Sequence, residues 1–260
     1  MDSTPKTKYT ARTANATGVI EYTDDEHKVW QELLIRQQLS IQGKACNDYM
    51  DGLALLGLSE RMPKLTDIDT VLAKTGWRTC AVPALIGFGR FFELLAHQQF
   101  PVATFIRSRQ DFDYIQEPDI FHEIVGHCPL LTHSAFATFT HTYGKLGLAS
   151  DKHTRIFLAR LYWFTMEFGL IDTDDGRRIY GGGILSSPSE TDYALSGTPE
   201  YRPFDLLDIL RTPYRIDRIQ PIYYVLDNPS TLFNLDERIL MNAISQAQTL
   251  GLYAPHPSCF

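Results

Sequence analysis

The chain has 260 residues, 44% of them hydrophobic and 21% charged, with a formal net charge of −7. That is globular composition at a length that buries a substantial core, and the acidic balance excludes a broad field that would draw in nucleic acid or an anionic membrane. No run approaches the ~20 apolar residues of a membrane helix. Cys46, Cys80, Cys128 and Cys259 form no C-x-x-C pair, so reduced thiols in a cytoplasmic protein are expected, not a zinc knuckle or a disulfide framework.

Residues 1–20 are rich in Thr and Ala and lack an apolar stretch. They read as a disordered arm and not a secretory signal, with one domain over 21–260. A helix is predicted over 22–39: Asp24, Asp25 and Glu26 supply first-turn carboxylates, and Val29, Trp30, Leu33, Leu34 and Ile35 form an apolar stripe. A second helix over 45–56 ends near Gly57. Residues 66–69 look like a cap for a short helix over 68–76, closed by Gly76. The segment 77–87 fits no single template. Gly87-Phe88-Gly89 reads as a loop, because no third glycine completes a dinucleotide fingerprint. A helix over 90–100 stops before Pro101, and a strand follows over 102–107. Helices with wide apolar faces are predicted over 134–150 and 153–171. Residues 178–187 read as strand, Gly-rich turn and strand, 191–197 as a short helix, 222–226 as a strand and 229–247 as a final helix. The fold class is therefore mostly α with a few short β-strands.

The stretch PDIFHEIVGHCPL (118–130) carries the chemistry. His122 and His127 sit among Ile120, Phe121, Ile124, Val125, Leu130 and Leu131. A single core histidine is ordinarily satisfied by a carbonyl, but two imidazoles in a desolvated run each need a partner, and one divalent metal serves both. Glu167, between Trp163, Phe164, Met166 and Phe168, is the candidate third ligand. Taken alone it reads equally well as an ion pair with Arg155 or Arg160. The two histidines are five apart, not the four of a zincin, so on an ideal helix they diverge by roughly 140°. They converge only if the helix widens, kinks or ends, and Gly126 makes such a deviation cheap. Two histidines and a carboxylate with open positions form the facial triad of non-haem Fe(II) oxygenases. A zinc hydrolase remains the chemical alternative.

The segments EPDIFHEIVGHCPLL (117–131), YWFTMEFGL (162–170) and YGGGILSS (180–187) resemble the pterin-dependent aromatic amino acid hydroxylases, most closely the bacterial members that act on phenylalanine. The resemblance covers the catalytic domain from about residue 22 onward, without a regulatory domain or a tetramerisation helix. It implies Fe(II), tetrahydrobiopterin or a related reduced pterin, O2, and conversion of L-phenylalanine to L-tyrosine. Tryptophan or tyrosine hydroxylation is the alternative within the family. His122, His127 and Glu167 would hold the metal. Arg107 would bind the substrate carboxylate, with Arg109 as its rival, and Ser186 would contact the same end. Pro118, Trp163 and Phe168 would line the ring pocket. Phe91 would stack on the pterin, Leu85 and Ile86 would border it, and Glu123 would sit beside it. Asp119 could orient Arg107 or a ligand histidine. Tyr180 and Glu190 match the family without an evident role. The chain departs from animal members at Ile115-Gln116, where a Thr-Pro is usual, and at Ala84 and Phe88. Its partners would be small molecules, with no nucleic acid and no membrane, acting as a monomer or small homo-oligomer.

Overall fold

A computed structural model describes residues 8–16 and 18–259. Helix α1 (Asp24–Ser40) opens on a capping box. Thr23 Oγ1 accepts from the Glu26 N–H, and the Glu26 carboxylate accepts from the Thr23 N–H. The buried face is Val29, Trp30, Leu33 and Leu34; Ile35, expected on that stripe, is exposed. Helix α2 (Asn47–Leu56) closes on left-handed Gly57. Helix α3 (Leu65–Leu72) begins ahead of the expected cap. Asp69 is engaged elsewhere, accepting from the backbone N–H and hydroxyl of Thr79 at 2.6 and 2.8 Å. That bond anchors strand β1 (Arg78–Val82), which resolves the segment 77–87.

The Gly-Phe-Gly loop reading is corrected: Gly87 is the N-cap and Phe88 the first residue of α4 (Phe88–Ala96). Strand β2 (Gln99–Ala103) pairs in parallel with β1 and starts three residues before the expected 102. Pro101 lies inside it, because both strands of a two-stranded sheet are edges, where a missing N–H is tolerated. After the metal-site turn come α5 (Cys128–Leu131), α6 (Ser134–Ala149) and α7 (Lys152–Tyr162). The helix expected to run to residue 171 ends early. A wide turn carries the chain to Glu167, and Leu170–Thr173 form β3.

Strand β3 pairs with β4 (Gly176–Ile179), and its Leu170 and Ile171 also pair with Val225 and Leu226 far along the chain. Where a second strand was expected after the glycines, Gly182–Leu185 form the short helix α8. Then follow α9 (Pro188–Ala194), β5 (Glu200–Pro203), α10 (Leu206–Arg211) and β6 (Ile222–Leu226). The second sheet has the order β4-β3-β6-β5. All five β6 residues are buried, as suits a strand covered on both faces. The final helix is broken into α11 (Pro229–Phe233) and α12 (Glu237–Leu250), since Asn228 and Asp236 each cap a separate start.

One large core links these layers, and a satellite cluster of Ala84, Ala103 and Phe105 lies apart from it. Residues 1–7 of the expected arm lie outside the described residues. Residues 8–12 run along segment 104–111: Tyr9 stacks on Phe105 at 4.6 Å and donates to Asp111. Arg12 N–H and C=O both bond to Thr104, at 3.3 and 2.7 Å. Cys46, Cys80 and Cys128 are free thiols. Among the described residues no helix is long and apolar enough to cross a membrane.

Candidate metal centre

The five-residue histidine spacing is accommodated by a π-helical turn over His122–His127, in which the Cys128 N–H bonds to Glu123 O. Bonding from i to i+5 widens the turn, so residues five apart return to one face. His122 Nε2 and His127 Nε2 stand 3.2 Å apart. A second π turn, Trp163–Glu167, closes with the Phe168 N–H on Trp163 O at 2.9 Å. It delivers Glu167 Oε1 to 3.1 Å from His127 Nε2 and Oε2 to 3.7 Å from His122 Nε2.

These separations test whether a metal fits. Ligand atoms about 2.1 Å from one ion lie about 3.0 Å apart at 90° and about 3.4 Å apart at the tetrahedral angle. Two of the observed distances, 3.1 and 3.2 Å, fall within that range, and the third, 3.7 Å from Glu167 to His122, lies just beyond it. Two imidazole nitrogens and a carboxylate facing one point make an electron-rich focus that a cation would satisfy. A carboxylate oxygen of Glu123 lies within 4.8 Å of the same two rings. Glu167 is the nearer acid, in direct contact with both. Burial pushes the Glu123 carboxyl up to about 8, so it is largely neutral at pH 7. At Glu167 burial acts in the same direction, but the two imidazoles outweigh it and hold the carboxyl low. Burial pushes His122 down to about 4, against the pull of Glu167. At His127 the same burial is outweighed by the Glu167 carboxylate, and the pKa rises.

The surroundings orient the ligands. Ser186 Oγ donates to Gly182 O at 2.9 Å, so its lone pair is what meets His122 Nδ1 at 2.9 Å. His122 therefore carries its proton on Nδ1 and turns the bare Nε2 inward. Asp119 is fully buried and takes four donors: Arg107 N, Nε and Nη2, and His122 N. One carboxylate thus ties the chain at Arg107 to the start of the histidine turn. Gly126 serves more than helix widening. A Cβ there would lie 2.6 Å from Gly182 O, and one on Gly182 would lie 2.7 Å from His127 Nδ1. Two backbones meet behind the ligands, and only glycine lets them.

Two cavities of about 280 Å³ each open onto this centre. The first is lined by Leu85, Ile86, Phe91, Glu123 and His127; the second by Arg107, Phe168 and Ser186. Leu85, Pro118, His122, Trp163, Glu167 and Ile216 line both and form the wall between them. The residues expected at the metal, the substrate and the pterin thus line one cavity or both. Arg109 does not: it pairs at the surface with Glu32 at 2.6 Å. Ile115 lines the second cavity and packs on the satellite cluster, to which Ala84, lining the first cavity, belongs. Glu190 lines the second cavity and accepts from Tyr223 at 2.5 Å. Tyr180 is buried in the core. Sequence reasoning missed Tyr162 and Tyr214, which line the first cavity, and Ile216, which lines both. Tyr162 follows from helical spacing beside Trp163; Tyr214 and Ile216 sit in a loop with no local signal.

Fold and site together define a mostly helical enzyme with a two-histidine, one-carboxylate centre between two small-molecule cavities. The profile of the biopterin-dependent aromatic amino acid hydroxylases matches residues 3–239, and the chain belongs to that family. The phenylalanine-4-hydroxylase of Pseudomonas aeruginosa is 58% identical over 251 residues, 96% of each chain. The apo structure of the cold active phenylalanine hydroxylase from Colwellia psychrerythraea 34H superposes with a TM-score of 0.92 at 54% identity, covering 95% of this chain and 97% of that one. The Chromobacterium violaceum phenylalanine hydroxylase, solved with iron(III) and 7,8-dihydrobiopterin, gives a TM-score of 0.86 at 40% identity, covering 91% and 88%. Membership in this family leaves the zinc-hydrolase alternative without support.

Proposed function

We propose that this chain is a phenylalanine 4-monooxygenase, hydroxylating L-phenylalanine to L-tyrosine with O2. It uses Fe(II) held by His122, His127 and Glu167, and tetrahydrobiopterin or a related reduced pterin. The observation that carries this reading is that two of the three metal-ligating residues, His122 and Glu167, line both cavities, with His127 on the first. When bound, the metal and the reduced pterin together supply the electrons that activate O2 for transfer to an aromatic carbon.

The protein's part is placement. Phe91 offers a flat face in the first cavity, and Leu85 and Ile86 border a planar heterocycle there. Glu123 stands beside it as a hydrogen-bonding group. In the second cavity Arg107 has Nε and Nη2 committed to Asp119. Its Nη1 has no hydrogen-bond partner among the described residues and is the edge for the substrate carboxylate. Ser186 serves the same end of the substrate while it holds the His122 tautomer. Pro118, Trp163 and Phe168 surround the ring. That wall turns no polar atom toward a para-hydroxyl, since the Trp163 N–H is taken by Gln220 at 2.9 Å. Phenylalanine is thus favoured over tyrosine.

The catalytic domain is residues 21–260, working in the cytoplasm, where its free thiols stay reduced. It acts on small molecules, as a monomer or small homo-oligomer. The test is purified protein with Fe(II), tetrahydrobiopterin and each aromatic amino acid in turn, under air. Tyrosine should form from phenylalanine only when iron and pterin are both present. No tyrosine from the metal-loaded protein refutes the reading.

A further inference from the structure

We infer that Gln220 is a positioning residue for the hydroxylation: its buried carboxamide locks the Trp163 indole and the 213–219 loop against the substrate cavity. This rests on the function proposed above and adds a residue that none of the site motifs contains.

Gln220 is 2% exposed, yet three of its four side-chain hydrogen-bonding positions are filled. Its Oε1 accepts from Trp163 Nε1 at 2.9 Å. Its Nε2 donates to Arg215 O at 2.9 Å and to Arg218 O at 2.8 Å. Residues 213–219 form no helix or strand, so these two bonds replace the ladder that would otherwise fix a loop. The loop matters to the site because Tyr214 stacks on Trp163, centroids 4.4 Å apart and planes 16° apart. Ile216, two residues on, lines both cavities. Trp163 also meets Phe168, centroids 4.6 Å apart.

Stacking alone leaves an indole free to slide or turn over in its slot, because its χ2 torsion is soft. A hydrogen bond at Nε1 removes that freedom. The same amide holds the loop that carries the stacking partner, so Gln220 fixes the wall and its backing as one unit. Strand β6 begins two residues later and is wholly buried, which gives the anchor a rigid base. Removing the carboxamide takes away the acceptor of the indole N–H and both donors that hold the loop. The substrate ring then loses a fixed wall at the metal; Trp163, Tyr214 and Ile216 also border the first cavity, but Phe91 there is carried by α4 and keeps its place.

The test compares wild type, Gln220→Leu and Gln220→Glu as iron-loaded enzymes. Measured are KM for phenylalanine, KM for pterin, and tyrosine formed per pterin oxidised, with the Trp163 indole N–H resonance assigned by Trp163→Phe. For Q220L we expect KM for phenylalanine to rise about fivefold and the tyrosine-to-pterin ratio to fall to about half. KM for pterin should rise by less than KM for phenylalanine, since Phe91 stays in place, and the Trp163 resonance should move. Q220E keeps the acceptor for the indole and loses the donors to the loop. Its resonance should stay near that of wild type, with a smaller KM rise of about twofold. Folded Q220L with unchanged phenylalanine KM and unchanged ratio overturns the inference, as does an equal rise in both KM values. If Q220L fails to fold, Q220E decides: an unmoved phenylalanine KM overturns it. Wild type that makes no tyrosine sinks the proposed function, and this inference with it.

Discussion

Replacing Asp119 by Asn tests the link between substrate binding and metal binding. Each Asp119 oxygen serves two donors: Oδ2 accepts from Arg107 N at 3.0 Å and Nε at 2.8 Å, and Oδ1 from Arg107 Nη2 at 2.9 Å and His122 N at 3.0 Å. Asparagine turns one of these acceptors into a donor. Whichever way the amide is placed, two of the four donors lose their partner. An orphaned buried donor costs about 1–3 kcal/mol, and Arg107, only 5% exposed, also loses its counter-ion. Because these losses overlap, the total expected is about 3–5 kcal/mol, the usual cost of breaking a buried pair from one side. At about 2–4 °C per kcal/mol for a chain of this size, the melting temperature should fall by roughly 10 °C. With the guanidinium no longer held, KM for phenylalanine should rise about tenfold. The Asp119 carboxyl would be raised by burial, but Arg107 overrides this and holds it below its ordinary value of 3.8. Its stabilising contribution is thus present above that value and lost as pH falls through the lower folded one, so the gap between wild type and D119N should close in strong acid. The assay is thermal melting of the iron-loaded proteins across pH, with steady-state kinetics at neutral pH. A variant melting within about 2 °C of wild type with an unchanged phenylalanine KM refutes the reasoning.

Arg107→Lys should raise KM for phenylalanine about tenfold, since an ammonium cannot serve Asp119 and a substrate carboxylate at once; Arg109→Lys, altering only an exposed pair with Glu32, should leave it unchanged. Equal effects in the two variants would contradict the assignment. Gly126→Ala places a Cβ 2.6 Å from Gly182 O, backbone against backbone. It should cost about 1–3 kcal/mol in unfolding experiments and lower the iron content of protein dialysed against a fixed Fe(II) buffer. Burial pushes Glu190 up to about 7 despite its bond from Tyr223. A raised carboxyl favours the folded state below its unfolded value of 4.5 and loses that contribution as pH climbs towards 7. Wild type should therefore lose on the order of 1–3 kcal/mol between about pH 5 and pH 8, and Glu190→Gln should flatten that slope. Parallel stability-versus-pH curves would count against it.

The sequence by itself determined where the metal chemistry lies and most of the helices. Paired imidazoles and a carboxylate stand out in apolar runs because burying them without partners is so costly, and caps such as Thr23 with Glu26 act within one turn. The five-residue spacing even announced that the helix must depart from α geometry, though not that it does so by π turns on both ligand-bearing segments. Local pattern went astray where a distant partner overrode it. Leu170 and Ile171 leave a helical pattern to pair with Val225 and Leu226. Phe88 enters a helix from a glycine-rich segment, and Gly182–Leu185 curl instead of extending because Gly126 backs onto them. Arg107 and Arg109 are indistinguishable on the page of letters; one is buried on Asp119 and the other pairs in solvent with Glu32. Gln220 carries no local signal, because its three partners are Trp163 and two loop carbonyls. Only the tertiary structure decided these points, since burial and convergence depend on which remote segments pack together, and propensity reads no further than a residue's own neighbours along the chain.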